Sequence, residues 1–196
     1  MHAGLAHRHQ RLGGVGLLLA LSVRCAAPSR TPARDDTAAP SPVLDVDRWR
    51  PEPADAGPFS NPPATAVYCS ELAWRVEQQA WDTPMFEVRS DLCLWGVYGQ
   101  PLPIDLDAGE VLRFAFAWGE TWAAAPTTAT VALAIDEELL WSHPVPVPGP
   151  PGAEDVELTL PTAAAAGTMA RLLVSNHGTN TWAISAVTPW TPATWP

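Results

Sequence analysis

The chain has no lysine. All 11 of its basic residues are arginine, and they face 21 Asp and Glu. From residue 43 onward 19 acids stand against 6 Arg, a net of −13 (6 minus 19). So acidic a surface argues against nucleic acid and anionic lipid as direct partners, because like charge repels both. Long apolar runs are missing too. The longest, residues 12–23, is broken by Gly13, Gly14 and Gly16 and falls short of the roughly 20 residues that cross a bilayer. Histidine is sparse: only His143 and His177 lie beyond residue 63. No H-x-x-x-H spacing exists, so a catalytic zinc site has no framework. No G-x-S-x-G elbow or reactive Cys accompanies either His, which removes the usual nucleophile and base pairings. The expectation is no catalytic residue, no metal and no cofactor.

What is present begins with an export signal. Arg8 and Arg11 precede the apolar stretch and no acid occurs before Asp35, so residues 1–25 have the basic and apolar regions of a secretory signal. Two processing routes fit. Leu21-Ser22-Val23-Arg24-Cys25 resembles a bacterial lipoprotein signal, in which Cys25 becomes the lipidated first residue, although Arg24 stands where such signals usually carry a small residue. Ordinary cleavage near Ala26-Ala27 is the alternative. On either route the protein is exported, to the cell envelope or beyond it, and touches membrane only through a lipid anchor at Cys25. Of the three Cys, Cys69 and Cys93 then remain as an even pair in an oxidising compartment, and a disulfide is expected. Closing a loop of that size contributes about 3 kcal/mol. An Arg-only, Ala-, Pro- and Gly-rich composition suits a GC-rich bacterial genome.

Residues 26–63 hold nine prolines and read as an extended linker, with Trp49 and Phe59 as exceptions that dock on the domain edge. Residues 64–196 read as the folded domain. Residues 66–74, 85–89 and 92–98 are candidate strands. Residues 105–110 are a turn leading into 111–118, where Phe114, Phe116 and Trp118 alternate against Arg113. Residues 130–135 and 139–145 flank Asp136-Glu137-Glu138 as a hairpin. Val156, Leu158 and Leu160 share a strand face, and residues 169–175 and 182–187 follow. A helix over 70–79 competes, and a helical turn at 163–166 is a further candidate. Short strands at near-regular spacing mean an all-β antiparallel sandwich or barrel.

Three stretches carry a resemblance. They are "IDLDAGEVLRFAFAW", "TVALAIDEELLWSHPV" and "MARLLVSNHGTNTWAISAV". Together they resemble the galactose-binding-like jelly roll, the sandwich of many carbohydrate-binding modules. The resemblance implies a jelly-roll β-sandwich, which the composition of residues 26–63 precedes with a disordered tail. It also implies a binding or structural role, glycan being the first ligand to consider, and the chain looks like the envelope lipoproteins of GC-rich bacteria, which implies a location but no activity.

The stretch Ser175-Asn176-His177-Gly178-Thr179-Asn180-Thr181-Trp182 collects turn formers between apolar runs. It reads chiefly as a turn between two adjacent antiparallel strands, with Trp182 packing inward. Its other reading is a ligand loop, since Asn, His and Trp can hydrogen-bond and stack a sugar. The binding candidates are therefore Asn176, His177, Asn180 and Trp182, with Trp122 from another loop. Ten Trp in one small chain is high. Trp95, Trp118 and Trp141 read as core. Trp74, Trp81, Trp122, Trp182, Trp190 and Trp195 lie near strand ends or loops and are less committed. The functional expectation is an exported, non-enzymatic binding or structural protein whose partner is a glycan or an envelope protein. The alternatives are a carboxylate-dependent hydrolase of glycosides or esters, and a purely structural envelope lipoprotein.

Overall fold

In the computed structural model, which describes residues 41–59, 62, 69–78, 83–175 and 179–190, the alternation of β5 (Val111–Trp118) becomes the two faces of a sheet. Leu112, Phe114 and Phe116 are buried, while Val111, Arg113, Ala115 and Ala117 are half-exposed. A period of two is what places alternate side chains on opposite faces. The same logic orders β8 (Gly152–Thr159), where Val156 and Leu158 turn inward.

The strands form two antiparallel sheets. The first runs β1 (Arg50–Glu52), β4 (Trp95–Pro101), β9 (Met169–Ser175), β6 (Thr127–Ile135), β7 (Glu138–Val147). The second places β8 and β5 beside β10 (Thr181–Ser185), then β3 (Pro84–Arg89) and β2 (Trp74–Gln78). The short β11 (Thr188–Pro189) pairs with the start of β5, beyond the part paired with β10. From β3 to β10 every connection crosses between sheets except the β6 to β7 hairpin, which turns at Asp136 with φ 54°. Facing quartets β4-β9-β6-β7 and β8-β5-β10-β3 make the order a jelly roll, so the expected fold class holds. Trp49, Phe86, Tyr98, Phe116, Leu172 and Trp182 are among the large side chains buried between the sheets.

Several local expectations change. The stretch 70–79 is not a helix. Glu71–Ala73 makes one 3-10 turn, capped by Ser70, whose Oγ accepts from Leu72 N, and β2 follows. Residues 163–166 form no helical turn; Ala164 pairs instead with Leu106. The apolar run at 92–98 becomes strand only from Trp95, because Ser90 to Leu94 turn and Cys93 is bridged to Cys69, with Cα atoms 4.4 Å apart.

Two differences are larger. The linker assigned to 26–63 does not extend through its described part, residues 41–59 and 62. Val43, Leu44, Val46 and Trp49 are core residues, and Phe59 seals a second apolar cluster with Val97, Ala132, Ala134 and Leu173 on the outer face of the first sheet. Trp95 Nε1 fixes that covering segment by donating to the Ala54 carbonyl at 2.8 Å. The stretch 175–182 also differs. β9 and β10 lie in different sheets, so this segment is a crossover and not a turn between adjacent strands.

Candidate functional site

The binding candidates from sequence that the structure describes, Asn180, Trp182 and Trp122, do not converge. Asn176 and His177 lie outside the described residues. Trp182 is 2% exposed and stacks on Phe116, centroids 6.1 Å apart at 5°. Its ring is core and cannot meet a ligand, which removes it from the binding set and agrees with its inward packing. Asn180 is also buried, its carbonyl accepting from Ser90 N at 2.9 Å and Ser90 Oγ at 2.8 Å. Of the described candidates, Trp122 points out. It is 68% exposed, on a loop whose backbone pairs with Thr179. The disulfide residues Cys69 and Cys93 meet as expected, and Cys25 lies outside the described residues.

A different surface has the shape of a site. Across the second sheet, Arg75, Glu87, Ala183, Ala117 and Ala153 are register neighbours on five successive strands. Side chains along this row shrink to methyl groups, so the sheet sinks between its flanks. The depression, about 500 Å³, is floored by Ala117, Ala153 and Ala183, with Glu87 on one side and Trp118 and Pro151 on another. Two residues further along β10, β5 and β8 lies a second hollow of about 620 Å³, bounded by Arg113, Ala115, Asp155, Glu157, Ser185 and Trp190. Ser185 keeps its floor intact where β10 parts from β5: its Oγ accepts the Ala115 N–H at 2.8 Å. On the first sheet the corresponding outer face is covered: Ala56 and Phe59 pack on Val97, Ala132, Ala134 and Leu173.

As its sequence reading as core expected, Trp118 follows Phe114 and Phe116 on the inner face of β5 and packs against the core at the end of the strand, its ring centroid 5.1 Å from that of Phe116. Trp118 lies over Gly152, where a Cβ would fall 2.2 Å from its Cζ2, so only glycine admits the ring. Trp118 Nε1 donates to the Pro150 carbonyl at 3.1 Å. Behind it His143 sits 5.4 Å from the Trp118 ring and 3.1 Å from a Glu154 carboxylate oxygen. That placement makes His143 a packing residue. Among the described residues no group of three potential metal ligands occurs.

Charge in the trough is arranged in closed pairs. Arg75 reaches Glu87 at 2.8 Å and Glu77 at 2.9 Å. Arg113 Nε donates to Glu157 at 2.9 Å, and its guanidinium lies 4.3 Å from the Trp190 ring centre, a cation–π contact. Glu87 is 6% exposed at its side chain. Loss of water raises its pKa above the ordinary 4.5, a penalty that Arg75 only partly offsets. A carboxyl whose folded pKa exceeds its unfolded one supports the fold fully below the unfolded value, and that support is lost as pH rises through the folded value. Glu87→Gln is uncharged throughout and leaves Arg75 its contact with Glu77. It is therefore expected to be more stable than wild type at pH 7, the gain fading as pH falls through the raised folded pKa and gone below the ordinary 4.5. Urea unfolding at several pH values measures this. A variant less stable at pH 7 would show that the ion pair outweighs the burial.

Sequence reasoning passed over Arg75, Glu87, Arg113, Asp155 and Glu157 and left Trp190 uncommitted. The alternation in β5 marked Arg113, Ala115 and Ala117 as one face, which was the available signal.

No family model matches the chain, and no curated protein matches it. Solved structures similar to it include carbohydrate-binding modules. TmCBM61 in complex with β-1,4-galactotriose is 11% identical with a TM-score of 0.41, covering 74% of this chain and 90% of that one. TmCBM27, a module of specific mannan recognition, is 7% identical with a TM-score of 0.43, covering 78% and 95%. An arabinose-bound MgGH51 α-L-arabinofuranosidase is 11% identical with a TM-score of 0.46, covering 82% of this chain. The chain spans only 26% of that enzyme's length.

Proposed function

We propose that this chain is an exported, non-enzymatic glycan-binding protein that holds its ligand in the trough on the outer face of the second sheet. The observation that carries the reading is the methyl floor of Ala117, Ala153 and Ala183, bordered by Glu87 and, where β5 ends, by Trp118. A sugar ring is flat, with apolar C–H faces and a polar rim. It needs a shallow apolar bed, an aromatic neighbour and a few hydrogen-bonding groups at the sides. Export and a lipid anchor at Cys25 belong to the same reading and rest on the sequence of residues 1–25.

Filling the floor tests it. Ala117 is half-exposed at the centre of the row, and a strand surface accepts Tyr there. Ala117→Tyr should therefore leave thermal unfolding nearly unchanged while weakening glycan binding at least about tenfold, or about 1.4 kcal/mol. Titration calorimetry against galactan, mannan and glucan oligosaccharides reads the effect, and reducing-end release checks for cleavage. Binding unaffected by Ala117→Tyr would move the site elsewhere. The exposed Trp122 ring is the specific alternative, so Trp122→Ala is the matching arm.

A further inference from the structure

Resting on the glycan-binding reading, we infer that the trough is built to take uncharged glycans and to reject acidic ones, and that Glu157 is the residue that sets this specificity. A ligand carrying uronate or sulfate groups needs a cation with unspent hydrogen bonds, usually an Arg fork. The chain from residue 43 on has six arginines and no lysine. Five of the six are engaged. Arg75 is held by Glu77 and Glu87, Arg89 by Asp91, and Arg171 by Glu52. Arg50 donates to the carbonyls of Asp47 and Trp49. Arg48 makes no such contact among the described residues, but it sits in the 3-10 turn Val46–Arg48 and lines neither hollow.

Among the described residues Arg113 is the one cation that lines the second hollow, next along the sheet from the alanine floor, and it is closed from two sides. Glu157 lies directly opposite in register and takes both Nε and an Nη of the guanidinium, while the Trp190 ring covers a face. Two residues along the same strand, Asp155 lines the same hollow and has no cationic partner among the described residues. An acidic polymer entering here meets a neutralised Arg, an unpaired carboxylate and a strongly acidic domain. A neutral sugar meets carboxylates that accept its hydroxyl hydrogens.

Neutral glucan, mannan and galactan hexasaccharides, each compared with its C6-oxidised uronate form, test this by calorimetry at about 10 mM and at about 500 mM NaCl, where the Debye length falls from about 30 Å to a few Å. The expected result is that oxidation weakens binding by about tenfold or more at low salt, that salt shrinks the gap, and that Glu157→Gln shrinks it at low salt by freeing Arg113. Asp155→Asn should narrow the gap as well without touching the Arg113 contact, which guards against a Glu157→Gln protein that fails to fold. Oxidised forms that bind wild type as well as the neutral ones would overturn the inference and leave the glycan-binding reading standing. A gap that neither variant narrows would overturn the role of Glu157. If no hexasaccharide of either kind binds, the glycan-binding reading itself falls.

Discussion

Trp182→Ala is expected to cost about 3 to 5 kcal/mol of stability, the range for deleting a large aromatic from a packed interior. The ring is 2% exposed, parallel to Phe116, and its register neighbours are Val88 on one side and Trp118 on the other. Removing it opens a void where the two sheets meet, under the floor of the trough. Its Nε1 is buried without a hydrogen-bond partner, so part of the ring's benefit is already offset by an unmet donor. Trp182→Phe removes that donor and keeps much of the volume, and should cost far less than Ala, under about 1.5 kcal/mol. Urea unfolding of both variants separates ring packing from the polar group. If Trp182→Ala cost less than about 1 kcal/mol, the ring would not be the packing element the structure makes it.

The position of that ring shows which parts of the fold could be read from sequence. Where alternation was marked the signal was sufficient: β5 and the Val156–Leu158 end of β8 follow their residue pattern, and the hairpin turns at Asp136 as read. The connection at 175–182 did not follow, because local turn chemistry reports that the chain bends and not where it goes next. A jelly roll sends nearly every connection across to the other sheet. The jelly-roll reading and the reading of 175–182 as a turn between adjacent strands were therefore in conflict, and topology decided it. The trough was less legible still. Alanines carry no chemistry that a motif search detects, and their meaning comes from lying side by side on β10, β5 and β8, which are separated by tens of residues in sequence. The pairing of Arg113 with Glu157, 44 residues apart, is likewise a product of register. Trp190 gains its role only because its backbone N–H is tied to the Val111 carbonyl at 2.8 Å, which brings its ring over Arg113.

Trp49→Ala is expected to cost as much as Trp182→Ala, about 3 to 5 kcal/mol, although Trp49 lies in a stretch whose composition suggests a linker. Nine prolines between residues 28 and 63 made that composition look unable to pack. Pro51 is compatible with the fold because β1 is an edge strand, with β4 as its partner in the sheet, and an edge strand has one side where a missing N–H goes unmissed. The segment then fastens both sheets. β1 extends the first. Leu44 exchanges backbone hydrogen bonds with Val187, beside β11 of the second, at 3.2 and 2.9 Å. Between them the buried Gln100 side chain closes on Asp45, accepting from its N–H and donating to its carbonyl, both at 3.0 Å. Trp49 sits behind this clasp at 1% exposure, its ring 6.1 Å from Phe86 on β3. A linker tryptophan would lose nothing measurable on truncation to Ala, so the size of the effect decides between the two roles. Two shortened chains make the same comparison at larger scale. One starting at residue 41 keeps the clasp and should unfold cooperatively, as the full domain does. One starting at residue 64, where composition alone puts the boundary, lacks Val43, Leu44, Val46, Trp49 and Phe59 and should not reach a folded state. A cooperative urea transition in the shorter chain, at a midpoint close to that of the longer one, would show that the first sheet closes without this segment.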